Sequence, residues 1–388
     1  MILNSGSPLS PKVALEIGGV EVNYFSINNI ELDLSANRHD VLTVHIDGMP
    51  SKAITDYIDA PVRFLISSGA GRTQEFVGYV MYVEPVYSAS APIVNQSTFI
   101  SAKLICFGAS VSMKSTKSRV WGSTTIYKIA QEIASSYKFS LSVVRDEFVI
   151  RNAVQANESD WEFLVRLGET YGYSMTVHGT HMSIWDPFLA IGRRPSYEKL
   201  VPQTSYSGPT PGGILELTGT FGHLTTDGKS YKYRISSIDD NGRIVMVSDP
   251  EQGRVPSWSG YGETPLYTST LVDNATSIGE GQKLIEAERR KHFAFNVKTR
   301  ISAGAGIVPG GVVSVEGYNA EFEGLWYVRE VRHTIGNTSY YTDLHIGRDF
   351  NLSGEFLVPP TTLASGIPTS DYVDERWVAS RQTVDLYV

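Results

Sequence analysis

Hydrophobic and polar positions alternate in short runs from Val13 to about Gly108, as in Val41-Leu42-Thr43-Val44-His45-Ile46 and Pro61-Val62-Arg63-Phe64-Leu65-Ile66, with Gly, Asn and Asp between the runs. A period of two predicts strands, and strands at roughly ten-residue spacing without intervening helices predict an antiparallel sandwich or barrel rather than a parallel α/β sheet. The period then changes. In TTIYKIAQEIASSYKF the apolar Ile126, Ile129, Ala130, Ile133, Ala134 and Tyr137 follow the i, i+3, i+4, i+7 rule of an amphipathic helix. A second helix is predicted in NESDWEFLVRLGETYGY, where Ser159 with Glu162 fits a capping box, Asp160 and Glu162 complement the helix dipole, and Gly172 is placed to end it. Trp161, Leu164, Gly168 and Tyr171 share one face of that helix. YSMTVHGTHMSIWD alternates again about Gly179-Thr180 and predicts a hairpin leaning on it.

VPQTSYSGPTPGG reads as a linker or exposed loop, after which strands resume in GILELTGTF and KSYKYRISSI. Asn241-Gly242 predicts a two-residue hairpin turn, and residues 276–293 predict a helix weakened in its first turns by Gly279 and Gly281. Strands return in VVSVEGY, GLWYVREVRHTI and SYYTDLHIG. One internal echo bears on architecture: Glu75-Phe76-Val77-Gly78-Tyr79-Val80-Met81-Tyr82-Val83 resembles Glu321-Phe322-Glu323-Gly324-Leu325-Trp326-Tyr327-Val328-Arg329. It predicts two related antiparallel β-barrels in tandem flanking a small α/β region, a mainly β fold with an α+β insert. The expected division is a first barrel over residues 1–110, the insert over 111–200, a second barrel over 201–350 and an extended C-terminal arm over 351–388.

Composition narrows the function. Of 388 residues, 33 are Lys or Arg and 41 Asp or Glu, a formal net charge of −8, so bulk charge provides no basic footprint for nucleic acid or an anionic membrane. Charged residues make up only 19%, which suits large buried interfaces. Cys106 is alone, so neither an intrachain disulfide nor a thiolate metal site can be assembled from this chain. MILNSGSPLSPK lacks the basic start and apolar run of a secretory signal, and no run of 18 apolar residues occurs. The expectation is a soluble protein made in the cytoplasm, with no membrane-spanning segment.

Several patterns suggest chemistry, and each has a simpler explanation. Glu158, Asp160, Glu162 and Glu169 supply carboxylates of the kind glycoside hydrolysis uses, but capping and dipole complementarity explain the first three. His178 and His181 flank the hairpin turn and lack a third ligand, so they read as solvated hairpin-end residues. Gly228-Lys229-Ser230 lacks the phosphate-loop spacing and is followed by a strand pattern; AGAGIVPGG is a loop before a strand; no G-x-S-x-G occurs; Cys106 sits in an apolar strand. Trp121, Trp161, Trp185, Trp258 and Trp326 read as core or interface residues, whereas Trp377, in the polar C-terminal arm, is a candidate anchor for a partner. No catalytic, metal or cofactor site is expected.

Two segments resemble a known family. In QANESDWEFLVRLGETYGYSM, the residues Gln155, Glu158, Ser159, Asp160, Trp161, Phe163, Leu164, Leu167, Glu169 and Gly172 match a helix motif of the phage tail hub proteins. That family includes the late control gene D protein of contractile-tailed phages, the Mu-like baseplate hub and the N-terminal part of the type VI secretion spike protein. In PGGVVSVEGYNAEFEGLWYVREVRHTIGNTSYYTDLHIG, the residues Gly310, Val313, Gly324, Tyr327, Val331, His333, Tyr341 and Thr342 fall on the family's second pattern. His333 is expected to make a structural hydrogen bond.

The resemblance implies a non-enzymatic virion protein of the tail tip or baseplate, a homotrimer whose six quasi-equivalent barrels adapt a hexameric tail tube to a trimeric spike or tail fibre. Implied partners are further copies of itself, the tail tube protein, the spike or fibre, a baseplate wedge or distal tail protein, and the tape measure protein, with DNA passing transiently and without specific binding. A tail-associated cell-wall hydrolase on a hub fold is the alternative, and the two barrels and insert leave little chain for a lytic domain. A tailocin or type VI-like hub has the same expected fold.

Overall fold

The computed structural model describes residues 11–22, 27–50, 55–67, 73–86, 99–143, 149–187, 199–203, 210–220, 230–238, 241–248, 266–292, 294–319, 322–336 and 339–349. The alternating N-terminal stretch forms β1 (Lys12–Ile17), β2 (Val20–Glu21), β3 (Ile27–Ser35), β4 (Val41–Pro50), β5 (Pro61–Ser67), β6 (Thr73–Val86) and β7 (Phe99–Gly108). In β5 the period of two is direct: Val62, Phe64 and Ile66 are buried, while Pro61 and Arg63 face solvent.

The middle of the chain forms β8 (Thr116–Trp121), α1 (Ile126–Ser136), β9 (Ser140–Val143), β10 (Ala153–Ser159), α2 (Asp160–Tyr171), β11 (Ser174–His178) and β12 (His181–Trp185). α1 buries Ile126, Ile129, Ala130, Ile133 and Ala134, the stripe its sequence period dictates, and Thr125 caps it by accepting a bond from Lys128 N. β11 and β12 pair across the predicted hairpin, with His178 opposite His181.

The rest forms β13 (Val201–Pro202), β14 (Gly213–Thr220), β15 (Ser230–Ile238), β16 (Ile244–Ser248), β17 (Leu266–Asn274), α3 (Ile278–His292), β18 (Ala294–Ser302), β19 (Val312–Val315), β20 (Gly324–Gly336) and β21 (Tyr340–Asp349). The turn at Asn241-Gly242 differs from expectation. Pairing of β15 with β16 begins at Ile238 and Ile244, so the connection is longer than two residues, with Gly242 taking φ 78° within it. Gly281 in α3 has a packing role: a Cβ there would lie 3.1 Å from Ile235 Cγ2, so its absence lets the helix sit close on β15. The arm over 351–388, Trp258 and Trp377 lie outside the described residues.

Two closed barrels are what the alternation predicts, and here the structure corrects the sequence. The strands form one continuous mixed sheet in the order β13-β14-β18-β21-β20-β3-β4-β7-β6-β5-β1-β2, with β19 on β20. Among the described residues no ladder closes either half on itself. Alternation fixes which face of a strand is buried but not which neighbour its edge meets. The edge of β20 beyond Val328 goes to β3 of the other half, from Glu330↔Ser35 to Gly336↔Asn29.

The internal repeat is nevertheless present, in the ladders themselves. Strands β5-β6-β7-β4-β3 and strands β19-β20-β21-β18-β14 run in the same order with every pair antiparallel. Two of their irregularities also correspond, whereas the shift of β4 on β7 between Ile46 and Met49 has no counterpart between β18 and β21. β6 shifts register between Val80 and Tyr82, β20 between Val328 and Glu330, β3 between Ile27 and Asn29, and β14 between Ile214 and Glu216. The loops entering β5 and β19 hold matching positions: Asp59 N donates to Val80 O (2.8 Å) and Val80 N to Ala60 O (3.0 Å), as Gly310 N donates to Val328 O (2.8 Å) and Val328 N to Gly311 O (2.9 Å). Asp59 and Gly310 share the left-handed conformation, φ 63° and 80°. These ladders equate Val80 with Val328, so the sequence echo, which sets Gly78 on Gly324, is two residues out of register.

One core lies against the large sheet and includes Phe64, Phe76, Leu104, Trp326 and Ile346 from both halves. A second core unites α1, α2, β11 and β12 with Tyr233, Ile235, Val247, Leu284 and Ile285, so β15, β16 and α3 pack with the insert rather than with the sheet.

Candidate functional site

Two residues of the helix motif, Trp161 and Glu169, reach the short turn between β3 and β4, residues 36–40. Ser159 leads α2 with the predicted capping box: its Oγ accepts from Glu162 N (3.1 Å), and Glu162 Oε2 accepts from Ser159 N (2.8 Å). Gly172 ends the helix at φ 76°. Leu164 is buried in the second core.

Asp160 and Glu158 do more than complement the helix dipole. The Asp160 side chain is only 3% exposed and accepts from Lys117 Nζ, from Tyr137 Oη (2.8 Å) and from Gln155 Nε2 (2.9 Å). Burial works to raise its pKa, but the bonds from Lys117, Gln155 and Tyr137 outweigh it and hold the carboxyl below its ordinary range. Asp160 therefore gathers β8, α1, β10 and α2 at one point. Glu158, near the end of β10, accepts from Arg166 of α2 at 2.5 Å, fixing the approach of β10 to α2.

Trp161 faces the large sheet and stacks on His39 with ring centroids 4.5 Å apart and an interplanar angle of 28°. His39 Nδ1 lies 2.7 Å from Ser110 Oγ. Burial, reinforced by Lys114 and opposed by Glu162, pushes the His39 pKa down to about 4, so the ring packs as a neutral aromatic. Beside it, Asn37 N donates to Met175 O (2.7 Å), Met175 N donates to Asn37 Oδ1 (2.8 Å), and Asn37 Nδ2 reaches Glu169 Oε1 (3.5 Å). Asn37 takes φ 61°, a conformation that Asn adopts more readily than most residues.

Asp40 completes the joint. It is fully buried, and its Oδ2 lies 2.7 Å from His178 Nδ1. Here the reading of His178 and His181 as solvated is corrected. His178 is tied to Asp40 and His181 Nδ1 lies 2.8 Å from Ser140 Oγ, so both rings are half-buried and hydrogen-bonded although Thr180 at the tip is exposed. Among the described residues, no group of three or more His, Cys, Asp or Glu is placed to hold a metal ion, and no helix is long and apolar enough to cross a membrane.

The second motif lies in the second five-strand unit. His333 is fully buried, within hydrogen-bonding distance of Thr342 Oγ1 (3.1 Å) and Tyr340 Oη (3.2 Å), and burial pushes its pKa down to about 3. Arg329 donates to Tyr327 Oη (2.9 Å from Nε), and Arg348 stacks over Trp326 at 4.4 Å. Gly324 has φ 113°, and a Cβ there would lie 2.9 Å from Arg348 Nη1. These groups link β20 to β21.

Two further contacts bind the insert to the second half. Trp185 packs against Gly310, where a Cβ would fall 2.8 Å from the indole, and Lys283 Nζ reaches the buried Asp186 at 2.9 Å. Sequence reasoning found α2 and the hairpin but not what they meet: Asn37 and His39 beside α2, Asp40 at His178, and Gly310 at Trp185. The only available signals were polar residues in the β3–β4 turn and glycines before a strand.

What this geometry does is mechanical: it locks the insert onto both five-strand units. No curated protein matches the chain. The fold is similar to a tail protein from Neisseria meningitidis MC58, with TM-score 0.62, 12% identity, and 89% of this chain and 98% of that one covered. It is also similar to the 43 kDa tail protein of prophage MuSo2 from Shewanella oneidensis (TM-score 0.59, 12% identity, 87% and 98% covered). A third similar structure is an E. coli component of the type VI secretion system, described as similar to T4 bacteriophage tail proteins gp27 and gp5 (TM-score 0.56, 10% identity, 86% and 76% covered). Residues 28–208, which span the joint and its motif helix, match the phage tail baseplate hub (GPD) family.

Proposed function

We propose that this chain is a structural baseplate protein, the central hub of its tail, and a homotrimer that adapts a sixfold tail tube to a threefold spike or fibre. The observation that carries this reading is the repeat of one five-strand unit, with the same strand order and two matching bulges, twice in one chain. Three copies then offer six similar surfaces to a hexameric ring while keeping three equivalent positions for a trimeric partner. Its partners in this reading are the tail tube protein, the spike or fibre, a wedge or distal tail protein, and the tape measure protein. The net charge of −8 suits a channel wall past which DNA slides without adhering. The C-terminal arm with Trp377 is assigned to docking on the spike or a neighbouring copy.

Light scattering on the purified full chain tests this: three copies per particle are expected, and a monomer at all concentrations overturns it. The likeness to a type VI secretion component favours, as a second reading, the same adapter role in an injection system without a capsid.

A further inference from the structure

Within the chain, the two units meet through one ladder. β19 pairs with β20 only as far as Tyr327; beyond the bulge, β20 turns its edge to β3, where Arg332 stands opposite Asp33 and bonds to it. Ala36 N donates to Arg329 O (3.0 Å), which by antiparallel alternation makes His333 and Leu32 a hydrogen-bonded pair and Arg332 and Asp33 a non-hydrogen-bonded one.

The repeat creates the same two edges a second time. β5 pairs with β6 only as far as Tyr79, which leaves Tyr82–Val86; β13 pairs with β14 only as far as Ile214, which leaves Glu216–Thr220. Among the described residues no strand pairs with either stretch on that side. Both are flanked by exposed apolar groups, Tyr82 at 58% and Leu215 at 53%. Open edges of this kind are pairing templates.

We propose that these two edges pair with each other between copies of this chain, Tyr82–Val86 of one against Glu216–Thr220 of the next, in the register of the β20–β3 ladder. Carrying that register across sets Glu84 opposite Thr220, Pro85 opposite Gly219 and Val86 opposite Thr218. Pro85 takes the place of His333 and offers the partner an acceptor but no donor, so one bond of the ladder is lost there. The residue it meets, Gly219, has no side chain and the backbone freedom to bow around the ring. An edge carrying Pro85 also pairs poorly with unmatched strands. The contact is head to tail, and alternating inner and inter-copy junctions of one geometry close into a ring. Closure at three copies rests on the hub reading; the pairing itself needs only a second copy.

Disulfide trapping in the full chain tests the register. Glu84 and Thr220 correspond to a non-hydrogen-bonded pair, whose Cβ atoms approach within reach of a disulfide. The native Cys106 is buried and does not compete. Glu84→Cys protein mixed with Thr220→Cys protein is expected to give a covalent dimer on mild oxidation, as is Val86→Cys with Thr218→Cys. Neither single variant alone nor Glu84→Cys with Leu217→Cys is expected to do so. Oligomers by light scattering without either cross-link overturn these surfaces and leave the trimer standing. Equal cross-linking with Leu217→Cys overturns the register, and a monomer with no cross-link overturns both readings.

Discussion

Asp40 Oδ2 and His178 Nδ1 lie 2.7 Å apart across 138 residues of sequence, joining the turn after β3 to the tip of the insert hairpin. The carboxyl is fully buried; burial raises its pKa and the His178 interaction opposes that rise. A buried pair of this kind costs most when one partner is removed. Asp40→Ala and His178→Ala are each expected to destabilise by about 3 kcal/mol, since each strands a desolvated polar group. The double variant should fall short of their sum by about 1–3 kcal/mol, because the groups touch. Urea midpoints of the four proteins measure this, and strict additivity would show that the pair is not coupled.

His333 gives the fold an acid limit. Its folded pKa is about 3 against 6.5 when free, because burial penalises the cation. The unfolded chain therefore binds the proton first as pH falls. The contribution is fully present above pH 6.5 and drains away towards pH 3, by about 1.4 kcal/mol for each unit passed. His333→Asn is expected to cost stability at pH 7 but to flatten the decline between pH 6.5 and 5. An unchanged slope in that window, read from denaturation at several pH values, would falsify the assignment.

Local chemistry was legible in the sequence, and long-range contacts were not. Ser159, Glu162 and Gly172 act within one helix, so their spacing alone announces α2 and its ends. Asp160 carries the same local signal, yet its main partners, Lys117 and Tyr137, come from elements that only tertiary packing brings to it. The repeat was visible as an echo of glycines but misaligned by two positions, since a slip of two residues leaves the alternation of buried and exposed positions unchanged, and only the matching bulges of β6 and β20 set the register. Closure into barrels was misread for a related reason: which edge β20 meets depends on β3, about three hundred residues away in the chain.

The helix motif predicts a graded loss. Ser159→Ala removes one cap acceptor and is expected to cost about 1 kcal/mol. Asp160→Ala leaves Lys117, Tyr137 and Gln155 without their shared acceptor and is expected to cost about 3 kcal/mol. Trp161→Leu keeps apolar bulk but loses the stack on His39, worth about 1 kcal/mol. If Asp160 served only the helix dipole, its removal would cost no more than that of Ser159, and denaturant titrations of the two variants separate the cases.

The paired left-handed residues of the repeat yield the most discriminating prediction. Gly310 has φ 80°, and a Cβ there would fall 2.8 Å from the Trp185 indole, so Gly310→Ala meets both backbone strain and a wall. Gly242 has φ 78° with no atom near the added carbon, so Gly242→Ala meets the strain alone. The second change is expected to cost about 1 kcal/mol and the first at least twice that, since the left-handed conformation itself costs roughly 1–2 kcal/mol for a residue with a Cβ. Asp59 occupies in the first unit the place of Gly310 in the second, at φ 63°. Asp59→Gly should therefore be neutral or stabilising by up to about 1 kcal/mol, a sign opposite to that of most glycine substitutions. Thermal midpoints of the three variants decide it. Destabilisation by Asp59→Gly as large as that by Gly310→Ala would mean that the two loops do not do the same work, and that the repeat ends at its strands.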